Sequence, residues 1–268
     1  METISVAVHG ALGKMGREVV SAVLADNSLR MVGAVDIKAD SDQLVSGAAK
    51  IPLYRDINDL VKKSKPGVMV DFSVAEASIG AIRAAAGSGI DLVVGTTGFS
   101  SRDSEEIIRL AKDNNVGIII SPNFALGAVI MMHLSKIAAK YFDNVEIIEL
   151  HHDQKADAPS GTALATAKAM LDARGGKPFR YPVTKKENLE KSRGGELEGV
   201  AVHSVRMPGF VASQEVVFGM QGQTLKIRHD TINRECYMPG VILAVKEVSK
   251  HRGTVHNLED LLQLGGKQ

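Results

Sequence analysis

The sequence of 268 residues has one cysteine, Cys236, and no tryptophan. A single cysteine excludes an internal disulfide and fits a reducing compartment. No apolar run approaches the ~18 residues that a membrane-spanning helix needs, and the first residues lack the basic and apolar regions of a secretory signal. The formal net charge is +1, without a long block of like charges, which argues against nucleic-acid and membrane-surface partners. We therefore expect a cytoplasmic globular protein.

The chain does have enough apolar residues, 44%, to bury the core of one large domain or two modest ones. In the first half, short β-branched runs alternate with amphipathic segments. This alternation predicts an α/β fold in which helices cover both faces of a parallel sheet. The expected strands are 4–8, 31–35, 67–72, 91–95 and 116–120, and the expected helices are 17–26, 59–63, 76–88 and 102–114. We expect Ser73 to cap helix 76–88.

The pattern changes after Asn123. A long helix at 126–141, a strand at 145–150 and a helix at 162–173 precede a polar stretch at 178–198. Three β-type runs then follow without helices between them, at 200–206, 213–220 and 223–230. They predict a mixed or antiparallel sheet in a smaller α+β domain. We expect a first domain at 1–123, completed by the tail 234–268, and a second domain at 124–233.

A glycine turn follows the first strand directly, and its residues run from Gly10 to Gly16. Gly10 permits a tight turn, Gly13 lets the backbone approach a pyrophosphate, and Gly16 lets the next helix pack closely on the strand. The helix after the turn would favour a bound anion at its N-terminus. The second strand then ends on an acidic residue, Asp36, as in dinucleotide-binding units. A tightly turning βαβ unit without a ligand would be the alternative.

Asp36 bears on the choice of cofactor. Its carboxylate would accept hydrogen bonds from ribose hydroxyls and repel a 2′-phosphate, whereas Lys38 could receive that phosphate. NADH is favoured and NADPH remains open. Ligands on parallel sheets bind at the carboxyl ends of the strands, so other strand ends should line the same crevice, although ordinary turn chemistry could also explain them. The expected cofactor contacts are Gly10, Ala11, Leu12, Gly13, Lys14, Met15, Asp36, Lys38, Gly95, Thr96, Thr97, Ser121, Pro122, Asn123 and Phe124.

Groups that can carry protons cluster after the strand at 145–150, as His151, His152 and Lys155. A nicotinamide donates hydride but no proton, so a reductase needs such an acid. Lys155 could also hold an anion, or be an ordinary surface lysine. The helix that begins near Gly161 and Thr162 offers backbone N–H groups to a carboxylate.

Other chemistries fit this stretch less well. Two adjacent strand residues point to opposite faces, so His151 and His152 do not predict a metal site. Ser160 lacks the flanks of a nucleophile elbow and is explained by helix capping, and Cys236 has no obvious base beside it. The residues themselves predict a nicotinamide-dependent reductase acting on a small anion. A dinucleotide sensor without catalysis and a dehydrogenase of another small acid remain open.

The stretch from His151 to Ala163, preceded by Glu146 to Glu149, closely resembles the signature of 4-hydroxy-tetrahydrodipicolinate reductases. These enzymes, also called dihydrodipicolinate reductases, belong to bacterial lysine and diaminopimelate synthesis. The resemblance covers essentially the whole chain and extends to further segments. These are Val8 to Gly16, Asp71 to Ser73, Gly95 to Gly98, Asn123 to Phe124 and Arg206 to Gly209.

The resemblance implies a Rossmann-type domain, a second domain that binds substrate and builds a homotetramer, and reduction of a cyclic dicarboxylate imine to tetrahydrodipicolinate with loss of water. Hydride would come from NADH or NADPH. By the resemblance, His151 is the acid/base, Lys155 the proton donor, and the substrate contacts are His152, Ser160, Gly161 and Thr162. Some members have an arginine directly after the acidic residue, where this chain has Ile37. Strict NADPH preference is therefore not expected.

Overall fold

The computed structural model describes residues 3–264. The chain forms two compact units, residues 1–126 with 234–268, and residues 127–233. The strands are β1 (Ile4–His9), β2 (Leu29–Val35), β3 (Gln43–Ser46), β4 (Ala49–Tyr54), β5 (Val68–Asp71), β6 (Asp91–Val94), β7 (Gly117–Ile120), β8 (Asn144–His151), β9 (Gly195–Leu197), β10 (Val200–Arg206), β11 (Ala212–Met220), β12 (Gln223–Thr231) and β13 (Gly253–Val255). The helices are α1 (Lys14–Ala25), α2 (Ile57–Ser64), α3 (Ala75–Ala86), α4 (Ser101–Asp113), α5 (Leu126–Ala139), α6 (Gly161–Ala173), α7 (Met238–Glu247) and α8 (Leu258–Leu261).

The first unit is built on an eight-stranded sheet in the order β13-β7-β6-β5-β1-β2-β4-β3. Its pairings are parallel except for β3 on β4. Every residue of β5 and β6 is buried, as expected of strands covered on both faces. The chain leaves β1 for β2 on one side and later returns to β5 on the other. This reversal opens a crevice at the carboxyl end of β1, and the Rossmann-type fold is confirmed.

Two details of this unit differ from expectation. The hairpin of β3 and β4 was not predicted, and its sequence is not a typical strand pattern, since Pro52 lies inside β4 and proline weakens a strand. The expected cap of α3 by Ser73 is wrong, since the N-cap is Val74, without a side-chain hydrogen bond. The backbone N–H of Ser73 instead donates to Thr96 Oγ1 at 2.9 Å. A tertiary contact therefore replaces the local one.

The second unit contains a five-stranded mixed sheet in the order β12-β11-β8-β10-β9. β8 and β10 are parallel and the other neighbours are antiparallel, which confirms the predicted mixed sheet. One face of the sheet packs against α5 and α6 through a buried cluster that includes Ile147, Phe218 and Met170. Alternate residues of β8 therefore point towards this core.

Within residues 3–264, no helix combines the length and the apolar character needed to cross a membrane.

The start of α1 depends on a glycine. A methyl group on residue 16 would overlap the Gly10 carbonyl and lie 2.8 Å from Ala11 Cα. We expect Gly16→Ala to lower the free energy of unfolding by about 1–3 kcal/mol, because backbone atoms must move apart. Gly80 lies in α3 with open space around it, so Gly80→Ala is the matched control and should stabilise by up to about 1 kcal/mol. Urea unfolding measures both, and equal changes would contradict the packing argument.

Candidate active site

The glycine turn lies against the ends of two strands. Gly10 has a φ of +74°, and a Cβ there would lie 2.6 Å from the carbonyl oxygen of Phe72. The N–H of Gly10 donates to Val35 at 2.9 Å. Gly13 is the N-cap of α1 and supplies no side-chain cap. The first-turn N–H groups, including those of Lys14 and Met15, therefore lack both intrahelical and capping partners, as a phosphate site requires.

The Asp36 carboxylate connects this turn to the end of β2. Its Oδ2 accepts from the N–H of Leu12 and its Oδ1 from the N–H of Lys38, each at 2.9 Å. The residue is only 8% exposed, whereas Ile37 is 85% exposed and Lys38 is also exposed. Each carboxylate oxygen can accept a second hydrogen bond. Asp36 thus shapes the turn as well as remaining able to accept from a hydroxyl.

Asp71, at the end of β5, is fully buried and was not singled out as a site residue. Its carboxylate is within 3.0 Å of His9 Nδ1 and accepts hydrogen bonds from the Thr96 hydroxyl at 3.2 Å and from the Ser78 hydroxyl. The Thr96 oxygen in turn accepts from the Ser73 N–H. Thr96, predicted to contact the cofactor, is therefore engaged in a buried network that fixes the strand ends beside the glycine turn.

The other predicted contacts at strand ends divide into internal and exposed groups. The Ser121 hydroxyl donates to the Asn123 carbonyl at 2.7 Å, and Asn123 Oδ1 accepts from the Ala125 N–H at 2.8 Å. Phe124 is buried, with its ring centroid 5.8 Å from that of Phe72. Ordinary turn chemistry accounts for the contacts of Ser121 and Asn123, and aromatic packing accounts for that of Phe124. Ala11 is buried, Gly95 is half-buried, and Thr97 and Pro122 are exposed.

The second unit holds the predicted proton carriers. His151 ends β8, and its Nδ1 lies 2.5 Å from Glu149 Oε2. The two side chains share a face of the sheet because they are two residues apart. His152, one residue on, is exposed. Lys155 Nζ lies 2.6 Å from Asp157 Oδ1 in the loop that follows.

The loop leads into α6, whose N-cap is Ser160. The Ser160 hydroxyl is buried and accepts from the N–H of Ala163 at 3.2 Å, so it caps the helix. Gly161 and Thr162 form the first turn, where N–H groups have no intrahelical partner. A Cβ on Gly161 would meet open space. The helix start therefore offers donors to an anion on its open side.

Glu149 and Arg206 organise this region, although neither was predicted from the sequence to have a role in the site. Glu149 is 0% exposed. Its Oε2 accepts from Arg206 Nη1 at 2.8 Å, and its Oε1 accepts from Arg206 Nη2 at 2.7 Å and from the Ser160 N–H at 3.2 Å. Arg206 Nη2 also donates to the Asp157 carbonyl at 2.7 Å. The sequence did contain one signal for Glu149. It lies two positions before His151 on the same predicted strand, so both side chains point to the same face.

Two family models together cover nearly the whole chain. One described as dihydrodipicolinate reductase, N-terminus, matches residues 4–124, and one described as dihydrodipicolinate reductase, C-terminus, matches residues 127–262. The chain belongs to the dihydrodipicolinate reductase family. It is therefore a reductase that depends on a nicotinamide cofactor, and the resemblance stated from the sequence is confirmed.

Relatives of the same family support this over full length. The 4-hydroxy-tetrahydrodipicolinate reductase of Dehalococcoides mccartyi is 53% identical over 266 residues, 98% of this chain and 100% of that protein. The enzyme of the same name from Bacillus velezensis is 47% identical, over 97% of this chain and 98% of the relative. A solved structure, dipicolinate-bound dihydrodipicolinate reductase from Paenisporosarcina sp. TG-14, matches with a TM-score of 0.88 and 37% identity, covering 97% and 99% of the two chains.

The surroundings of Glu149 and His151 lower the pKa of both groups, so that one is charged and the other neutral at neutral pH. Burial tends to raise the pKa of Glu149, but hydrogen bonds from Arg206, Ser204 and His151 outweigh it and lower the pKa. Burial lowers the pKa of His151 and outweighs the raising effect of Glu149, while Lys155 and Arg206 lower it further. The carboxylate is therefore ionised at neutral pH and the imidazole is mainly neutral. In the described part of the chain, no group of three or more His, Cys, Asp or Glu side chains could hold a metal ion.

The lowered pKa of His151 makes stability depend on pH. The unfolded chain, with an ordinary value of 6.5, binds the proton more readily than the folded one. This contribution to the free energy of unfolding is complete above pH 6.5 and is lost as pH falls through the folded pKa. We expect His151→Gln to flatten the decline of the free energy of unfolding below pH 6.5, as measured by urea titrations. An unchanged slope in His151→Gln would contradict this expectation.

Proposed function

We propose that this chain reduces the cyclic imine derived by dehydration from 4-hydroxy-tetrahydrodipicolinate, giving tetrahydrodipicolinate in lysine and diaminopimelate biosynthesis. The observation that carries the proposal is the short distance along the chain between two proton carriers, His151 and Lys155, and the start of α6. Acid groups beside an anion site are what reduction of an anionic imine requires. The names of the relatives supply the substrate.

The two carboxylates of such a substrate would be held by different groups. The N–H groups of Gly161 and Thr162 at the helix start would take one carboxylate, since they are donors without intrahelical partners. His152 and the Lys155 ammonium would act on the other side of the ring. The relative from Paenisporosarcina binds dipicolinate, a planar dicarboxylate, which supports this assignment. Ser160 would contribute by capping the helix.

The proton carriers would divide the acid-base work. A bound nicotinamide cofactor supplies hydride. Lys155 Nζ carries protons and would deliver one to the enamine left by reduction. His151 has its Nδ1 on Glu149, which leaves Nε2 as the nitrogen that can accept or return a proton. Residues 1–123 with the tail 234–268 would form the dinucleotide-binding domain, and residues 124–233 the substrate-binding domain, which would also build a homotetramer in the cytoplasm.

The direct test is an assay of NADH and NADPH oxidation with freshly prepared product of the preceding synthase. Turnover that requires this substrate would support the proposal. Oxidation of either cofactor with another small acid, and none with this imine, would contradict it.

Loss of either proton carrier should slow the chemical step. We expect His151→Gln and Lys155→Ala each to reduce kcat by ~100- to 10,000-fold, the usual contribution of a positioned acid or base. Lys168 is exposed on α6, so Lys168→Ala is the matched control and should keep wild-type kcat. Wild-type turnover in both site variants would show that the roles are misassigned.

The choice of cofactor should depend on Lys38. With Ile37 between Asp36 and Lys38, no arginine directly follows the acid, and a 2′-phosphate would be left to one lysine. We expect wild type to use both cofactors, and Lys38→Ala to raise the KM for NADPH several-fold with little effect on that for NADH. Lys62, exposed on α2, provides the control variant Lys62→Ala. Equal changes for both cofactors would exclude this role.

A further inference from the structure

Three parts of the proposed site in the second unit, namely His151, the start of α6 and the loop that carries Lys155, are connected to one buried ion pair. Glu149 accepts from His151, from both terminal nitrogens of Arg206, and from the Ser160 N–H at the start of α6. Arg206 also holds the carbonyl of Asp157, whose carboxylate pairs with Lys155. The end of β8, the end of β10, the loop and the helix start thus meet at the ion pair of Glu149 and Arg206.

We propose that Glu149, held by Arg206, is a positioning residue that selects the reactive nitrogen of His151 and fixes this ring relative to the α6 N-terminus. This inference rests on the proposed function of the site. A neutral imidazole carries its proton on one nitrogen only, and the partner of that nitrogen decides which one. An ionised carboxylate accepts but cannot donate. The proton therefore lies on Nδ1, and Nε2 presents its lone pair to the substrate.

Arg206 is required because the carboxylate is buried. Without a counter-charge, burial would favour the protonated form of Glu149, and a protonated carboxyl could donate to His151 and reverse the tautomer. The guanidinium supplies two parallel hydrogen bonds to the carboxylate, a geometry that lysine cannot reproduce. Its further bond to the Asp157 carbonyl orders the loop that carries Lys155.

Glu149→Gln tests the selection of the tautomer. In the wild-type chain, both oxygens of Glu149 accept hydrogen bonds from Arg206. Only Oε2 also faces a group that can change from donor to acceptor, namely His151 Nδ1. The amide nitrogen should therefore occupy the Oε2 position and donate to Nδ1, moving the ring proton to Nε2. In the serine-protease triad, the corresponding change from carboxylate to amide gives the wrong tautomer and a large loss of kcat.

The chain offers a closely matched control on the same strand. Glu146 also pairs with an arginine and a histidine, since it accepts from Arg193 at 2.5 Å and lies 2.8 Å from His203 Nε2. It lies three residues before Glu149 on β8, so it points to the other face of the sheet. Glu146→Gln removes a charge of the same kind without touching the His151 network.

We expect Glu149→Gln to lower kcat by ~100-fold or more, with the KM for NADH and NADPH within twofold of wild type. The acidic limb of the kcat profile should move to lower pH, because Glu149 raises the pKa of His151 and the amide does not. In ¹⁵N spectra, assigned by comparison with His151→Gln, the His151 signals should change from the Nδ1–H to the Nε2–H pattern. Glu146→Gln should leave kcat, the KM values, the kcat profile and the ¹⁵N pattern unchanged.

The tautomer readout does not need turnover. If the wild-type chain were inactive but gave the expected spectra, the proposed function would be overturned, whereas the assignment of the tautomer would stand. An unchanged tautomer or a kcat within twofold of wild type in Glu149→Gln, or an equal loss in Glu146→Gln, would overturn this inference.

Should Glu149→Gln fail to fold, the wild-type ¹⁵N spectra test the tautomer, since an Nε2–H pattern for His151 would overturn the inference, and Arg206→Lys tests the role of the guanidinium. It keeps the positive charge, so His151 should keep its wild-type tautomer while kcat falls at least tenfold, since the loop contact is lost. Wild-type kcat in that variant would overturn the role of Arg206.

Discussion

A buried carboxylate must be satisfied by hydrogen bonds, and the arrangement around Glu149 follows from this requirement. An isolated charge in the protein interior is so unfavourable that it would be neutralised, and removing one partner of a buried pair typically costs about 3–5 kcal/mol. Glu149 meets the requirement with a guanidinium, an imidazole and a backbone N–H. Since these donors come from different elements, satisfying one side chain sets the relative positions of all of them.

The same physical device recurs in the first unit. Asp36 collects the N–H groups of Leu12 and Lys38, and Asp71 collects the side chains of three residues from the neighbouring segments. Each of these carboxylates lies at or directly after the carboxyl end of a strand. In parallel sheets this is the end where ligands bind. Acidic residues at these positions thus order the loops at the end of the sheet where a ligand would bind.

How far the sequence could predict the site depends on the range of the interactions. The glycine turn, the mixed sheet and the start of α6 were predicted because turn chemistry and hydrophobic period act over a few residues. The α3 cap was misassigned, since Ser73 is held by a contact with Thr96. The β3–β4 hairpin was missed, since β4 is held in the sheet by its pairing with β2. Glu149 stood in the motif beside His151, but its partner Arg206 is 57 residues away along the chain.

The sequence by itself determined the class of fold and the family, because spacing, composition and a long motif are written along the chain. It also placed proton carriers next to a helix start. Only the tertiary structure decided which of the predicted polar groups are engaged internally, as for Thr96, Ser121 and Ser160. It alone joined Arg206 to Glu149 and so placed a paired, buried carboxylate beside His151. The reason is that the pairing of β10 with β8 brings together side chains that are far apart along the chain. No local pattern in the sequence indicates that they will meet.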